Sequence, residues 1–76
     1  MGEEAKALKM AKTMIDRNDQ ALDYYLSGGL RAHERDIQIA LYEMNVIISS
    51  FKESKVAPAK YKALEAKFMK QMERVQ

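Results

Sequence analysis

Residues 37–51, IQIALYEMNVIISSF, carry more apolar surface than one side of a helix can hold: ten of the fifteen are apolar. At about 100° of turn per residue, most of these form one broad main face, made of Ile37, Ala40, Leu41, Met44, Ile47, Ile48 and Phe51. The other three, Ile39, Tyr42 and Val46, form a second strip nearly opposite. A helix that is apolar on two sides must be covered on two sides. We therefore expect the main face to pack inside the chain and the second strip to contact a partner.

The chain is short for its apolar content. Its 76 residues form one domain at most. Below roughly 80 residues, one core rarely supplies more than about 3–5 kcal/mol. No cysteine is present, which excludes disulfides and thiolate metal sites. Self-association is the expected extra source of stability, so we predict a homo-oligomer.

Glycine and proline divide the chain into three periodic segments. Gly28 and Gly29 follow a long helical pattern, and Pro58 suits the first turn of a new helix. Helices are predicted over residues 3–27, 31–53 and 58–75. The second start lacks a good cap, so its position is the least defined. The prediction is a single all-α domain: an antiparallel helical hairpin plus a third C-terminal helix, as in a small three-helix bundle.

A polar residue, Asn18, interrupts the apolar face of the first predicted helix. A buried amide without a partner costs stability, whereas a single Asn in a coiled coil can set register or oligomer state. Two interpretations stay open. Asn18 sets the register between helices, or it only hydrogen-bonds a neighbouring group or a trapped water.

The third predicted helix has an apolar stripe and a basic far side. The stripe consists of Tyr61, Leu64, Phe68, Met72 and Val75. The basic side carries Lys60, Lys67, Lys70 and Arg74. With Arg31, these cations are candidate contacts for nucleic acid or for a phosphorylated small ligand bound between subunits. Within the third helix, Gln71 and Arg74 are the residues of the Arg, Asn and Gln types that base reading favours.

Asp16, Asp19 and Asp23 cluster on one side of the first helix. Three carboxylates can hold a divalent cation only when another element adds ligands, and no Glu-x-x-His pattern accompanies them. We expect no metal site. Pairing with the basic side of the third helix explains both charge clusters together.

His33 is the only histidine and stands beside Glu34, Arg35 and Asp36. Such a histidine can titrate near neutral pH. Catalysis also needs a nucleophile or an oxyanion site, and the sequence offers neither. We predict no catalytic residue, no cofactor and no enzymatic activity.

Tyr24 lies outside the core arc of the first helix, next to Ser27, the glycine pair and Arg31. An exposed tyrosine near backbone amides and a cation can form a recognition corner, since Tyr and Arg are enriched at interface hot spots. The alternative is a tyrosine packed on the second helix with its hydroxyl in water.

No apolar run approaches the roughly 18 residues of a membrane span. The start, Met-Gly-Glu-Glu, is acidic where a signal peptide is basic. We therefore predict a soluble cytoplasmic protein that does not contact membranes.

These observations predict a small protein–protein interaction module with Ile39, Tyr42, Val46 and Tyr24 at its interface. Its partner is itself, a larger protein, or both. In size and architecture the chain resembles the small co-chaperones of bacterial secretion systems and phage-encoded inhibitors, which implies an adaptor, co-chaperone or inhibitor. The alternative function is binding of nucleic acid or of a phosphorylated ligand through the basic residues.

Overall fold

Three α-helices account for most of the chain. The computed structural model describes residues 2–28 and 30–75, with residues 30 and 32 described by backbone alone. The helices are α1 (Glu3–Ser27), α2 (Glu34–Glu53) and α3 (Pro58–Arg74), and a 3₁₀ turn over Leu30–His33 precedes α2. Within these residues no strand occurs. The predicted all-α class with three helices is confirmed.

Two helix ends differ from the prediction. The second helix was expected to begin at residue 31, but Leu30–His33 forms a 3₁₀ turn and α2 starts at Glu34. His33, at the N-cap position, makes no side-chain capping bond, in agreement with the lack of a good cap in the sequence at this start. The third helix ends at Arg74 rather than at residue 75.

The end of α1 is closed by local hydrogen bonds. Gly28 donates its backbone N–H to the Tyr25 carbonyl at 3.3 Å. Its φ of −90° is open to any residue, so the left-handed conformation favoured by glycine is not used at this position. Gly29, the other half of the predicted stop signal, lies outside the described residues.

The connection from α2 to α3 is a Schellman motif built on a lysine. Lys55 has a φ of +60°. Its N–H bonds to the Lys52 carbonyl at 3.2 Å, and the Val56 N–H bonds to the Phe51 carbonyl at 3.0 Å. Val56 is buried in the same cluster as Phe51, which supplies the apolar contact that accompanies this motif. The turn delivers the chain to Pro58, the first residue of α3.

The core contains side chains from all three helices. It consists of Ala11, Ile15, Met44, Ile48, Phe51, Val56, Tyr61, Leu64 and Phe68. The rings of Phe51 and Tyr61 stack with centroids 5.8 Å apart. The main face of α2 supplies much of this core, as its periodicity predicts.

Each helix contacts both of the others. Ion pairs along α1 and α3 advance in the same order, joining Glu4 to Lys60, Asp16 to Lys67 and Asp23 to Arg74. Contacts between α1 and the segment 33–40 run in the reverse order, from Tyr25 with His33 to Asn18 with Ala40. The described chain measures 41 × 18 × 17 Å.

None of the described helices combines the length and the apolar character that a bilayer crossing requires.

Candidate interaction surface

The second strip of α2 lies on the surface. Ile39, Tyr42 and Val46 are 49%, 69% and 44% exposed. Their neighbours on the main face, Ile37 and Met44, are buried. The helix is therefore covered on one side only by the described chain, and the second strip is accessible to another molecule. Its role as an interface stays a prediction.

Shallow grooves border the second strip on both sides. Between α1 and α2, Ile39 lines a groove that also contains Met14, Asn18, Tyr25 and Ala40. Between α2 and α3, a second groove is lined by Gln38, Leu41, Tyr42, Asn45, Phe68 and Met72. The strip is thus a ridge between two grooves, and a ridge of this kind can pack into a groove of another helical surface.

Several methionine side chains lie on the surface, one of them next to the second strip. Met10, Met69 and Met72 are all exposed. The sequence placed Met72 in the core stripe of the third helix, and this was wrong: α3 buries Gln71 instead and leaves Met72 beside Tyr42. Unbranched thioethers adapt to irregular partners, so these side chains suit a contact surface.

Tyr24 is exposed and belongs to an aromatic group at the end of α1. Its ring centroid lies 5.8 Å from that of Tyr25 and 5.5 Å from that of His33. Tyr25 and His33 are closer still, at 4.9 Å, and His33 Nδ1 lies 3.7 Å from an Asp36 carboxylate oxygen. The sequence did not predict this group. The His33 ring reaches the two tyrosines at the end of the 3₁₀ turn, and that turn was not expected.

The recognition corner predicted around Tyr24 is described only in part. Tyr24 and Arg31 are both exposed. The predicted corner also includes Gly29, which lies outside the described residues. Its role as an interface therefore stays a prediction.

The basic side of α3 is largely paired with α1. Lys60 Nζ lies 2.7 Å from Glu4, Lys67 Nζ bonds to Asp16, and an Arg74 nitrogen lies 2.6 Å from Asp23. Lys70 and Arg31 are exposed, and no ion pair of theirs occurs in the described structure. Three of the five predicted phosphate contacts are therefore engaged by the chain's own carboxylates.

Two ion pairs, Lys67 with Asp16 and Lys52 of α2 with Glu65 of α3, alter the acidity of their lysines. The hydrogen bond from Lys67 to Asp16 raises the pKa of Lys67, and the negative charges of Asp16 and Asp19 add to the effect. The hydrogen bond to Glu65 and the charge of that carboxylate likewise raise the pKa of Lys52. Both lysines are held as cations, but both are solvent-exposed, so water and salt screen the attraction.

The three aspartates of α1 lie against charged and polar groups of α3. Among the described residues no group of His, Cys, Asp or Glu has an arrangement suited to a metal ion. Asp16 and Asp23 face cations of α3, and Asp19 accepts a hydrogen bond from Gln71.

Asn18 joins α1 to α2. It is half-buried, and its Nδ2 donates to the Ala40 carbonyl at 3.4 Å. The hydrogen bond to a neighbouring group is thus observed, while a role in setting register stays a prediction.

Gln71 is the buried polar residue that the sequence did not predict. The side chain is fully buried, and its Nε2 donates to the Ile15 carbonyl at 3.0 Å and to Asp19 Oδ1 at 2.8 Å. Its Oε1 is buried without a partner in the described structure. The base-reading role considered for Gln71 is excluded by this burial. Its spacing from Leu64 and Phe68 was the available signal, since seven and three residues place it on the same helix face.

Comparison of the chain with family models, with curated proteins and with solved structures finds no match.

Proposed function

We propose that this chain is a small non-enzymatic protein–protein interaction module that acts by burying the second strip of α2. Its partner is a second copy of the chain, a larger protein, or both, as in an adaptor, co-chaperone or inhibitor. One observation supports this most strongly: Ile39, Tyr42 and Val46 are about half exposed on a helix whose other side forms the core. Three large apolar side chains in one helical row are the kind of patch that marks an interface.

The finer arrangement we propose is an antiparallel hairpin of α1 and α2 with α3 packed against both, in a bundle. The order of contacts along α1 supports it, because contacts with α3 advance in the same direction and those with α2 in the reverse direction. In such a bundle α3 pairs its basic side with α1. The outward side of α2 is then left for a partner.

The strip alone does not account for tight binding. Full burial of one such side chain contributes about 1.5–3 kcal/mol, and Ile39 and Val46 are already about half covered and Tyr42 about one third. Association costs at least about 4 kcal/mol in lost freedom of motion. Burial of a matching surface on the partner and of the flanking Met72 adds to this, so the expected affinity is moderate.

The alternative, binding of nucleic acid or of a phosphorylated ligand, has weaker support. Lys60, Lys67 and Arg74 face carboxylates of α1, so a phosphate would have to displace them. A titration with short single-stranded DNA at low salt separates the two functions. The interaction module predicts no binding there, whereas strong, salt-sensitive binding would favour the alternative.

Sedimentation velocity over a range of concentrations tests the proposal. The 8.7 kDa chain is expected to sediment as an assembly. The variant I39D/V46D is expected to sediment as a single chain of unchanged helicity. The control A59D/A66D adds the same two charges, also seven residues apart, at exposed positions of α3, and should assemble normally. An assembly that persists in I39D/V46D would contradict the proposal, whereas a wild-type chain that never assembles would exclude the second copy and leave a larger protein as the partner.

A further inference from the structure

We propose that the partner of the second strip is a second copy of this chain, with α2 pairing antiparallel to α2 of the copy about a twofold axis at the level of Met44. This inference rests on the proposed function and names its partner and register. It is carried by the positions of two exposed charges, Arg35 and Glu53, relative to the strip.

The outermost line of α2 lies directly opposite Met44. The Met44 side chain is fully buried, so the helix surface on the other side is the part furthest from the core. Arg35 and Glu53 stand nine residues before and nine after Met44. Nine residues make two and a half helical turns, so both charges lie on that outermost line. They are both exposed and about 27 Å apart along the helix.

The same line passes between Tyr42 and Val46, which stand two residues before and two after Met44. In an antiparallel pair centred at this level, residues equally distant from Met44 face each other. Arg35 then meets Glu53 of the second copy, and Tyr42 meets Val46 of the second copy. Because the axis is twofold, each contact occurs twice. The face is complementary to itself in charge and at Tyr42 and Val46, whereas Ile39 meets Ser49 of the second copy.

A neighbouring register is less favourable. Shifting the pairing by three residues places Ile39 opposite Val46, which is an acceptable apolar contact. It also places Tyr42 opposite Glu43, and Arg35 loses its acidic partner. The charges therefore select the register centred on Met44.

The charges of Arg35 and Glu53 do not stabilise α2 itself. Arg35 lies in the first turn and Glu53 is the last residue of the helix. The helix dipole favours acids at the start of a helix and bases at its end. Arg35 and Glu53 therefore each carry the charge that the dipole disfavours at that end. Neither forms an ion pair within the described residues. A second copy supplies each with an opposite charge.

One like-charged contact follows from the same register. Glu43 stands one residue from the twofold axis, so the two copies of Glu43 lie near each other on one flank. Their repulsion opposes assembly. Removing it with E43Q is expected to strengthen the dimer, by roughly two- to fivefold in dissociation constant.

Charge reversal tests the register directly. R35E and E53R, each alone, are expected to weaken self-association about tenfold, because two attractive contacts become repulsive. An equimolar mixture of the two variants is expected to associate as tightly as wild type, since each contact in the mixed dimer is again of opposite charge. Both substitutions suit the helix dipole, so loss of folding does not explain a weaker dimer, and circular dichroism verifies this.

The outcomes separate this inference from the proposed function. Suppose that the mixture of R35E and E53R fails to recover association, but I39D/V46D remains a single chain where wild type assembles. The register is then wrong, and the interaction surface stands. If I39D/V46D assembles like wild type, the surface itself is wrong and so is the register. A wild-type chain that stays monomeric would overturn the second copy as partner.

Discussion

Tyr42 and Met44 lie two residues apart on α2 and point to opposite sides of the helix. Met44 has no exposed surface, whereas 69% of Tyr42 is exposed. Two residues turn a helix by about 200°, so the pair divides α2 into an inward side that makes the core and an outward side that the described chain leaves open. The two residues should therefore respond differently to truncation.

Met44→Ala is expected to lower the free energy of unfolding by about 2–5 kcal/mol, because it leaves a cavity in the centre of the core. Tyr42→Ala is expected to change the stability of the dilute monomer by less than about 0.5 kcal/mol and to weaken self-association. Urea denaturation at low protein concentration measures the first effect, and sedimentation measures the second. Equal losses of monomer stability in both variants would contradict the division of α2 into two sides.

Lys55→Gly is expected to stabilise the chain by about 0.5–1 kcal/mol, because Lys55 has the positive φ that disfavours residues with a Cβ. The midpoint of thermal unfolding should rise by a few degrees. Lys55→Ala serves as the control, since it removes the long side chain but keeps the Cβ, and it should give no such gain. A rise of the same size in both variants would show that the backbone conformation is not the cause.

Gln71→Met is expected to leave stability within about 1 kcal/mol of wild type. It removes two hydrogen bonds and also a buried oxygen without a partner, Oε1. Gln71→Glu is expected to cost about 3 kcal/mol or more near neutral pH, because it buries a carboxylate beside Asp19. Chemical denaturation of the two variants checks both results. A mild effect of Gln71→Glu would mean that this position is accessible to water.

Stability is expected to fall at alkaline pH. The pKa values of Lys52 and Lys67 are raised above 10.5 by Glu65 and Asp16. A raised lysine pKa stabilises the folded state below pH 10.5, and the contribution is lost as the pH rises through the higher folded value. Wild type should therefore lose more stability than the double variant K52M/K67M as the pH rises past 10.5. Parallel curves for the two proteins would contradict this role.

Periodicity predicted the features of the fold that depend on burying apolar surface. It placed Ile37, Met44, Ile48 and Phe51 on the side of α2 that the structure buries, and it separated Ile39, Tyr42 and Val46 as a second strip that the structure leaves exposed. Pro58 marked the start of α3 correctly. These predictions succeeded because spacing along a helix determines which side a residue occupies.

Features that depend on tertiary geometry were not predicted. The spacing of Gln71 from Leu64 and Phe68 places it on the buried face of α3, but the α1 carbonyl and carboxylate that accept its hydrogen bonds are positioned by tertiary packing. The Schellman turn uses Lys55 where glycine is usual, so its composition did not mark it. The aromatic group around His33 depends on the 3₁₀ turn, which replaces the expected first turn of α2.

The burial of the second strip on assembly can be measured by methyl NMR with a soluble paramagnetic probe, at protein concentrations below and above the assembly transition. The Ile39 and Val46 methyls are expected to relax strongly in dilute samples and to become protected in concentrated ones. The buried Ile37 and Ile48 methyls should be protected in both, and those of I39D/V46D should show no concentration dependence. Ile39 and Val46 methyls that stay equally accessible in the assembled protein would contradict a contact-driven function for this strip.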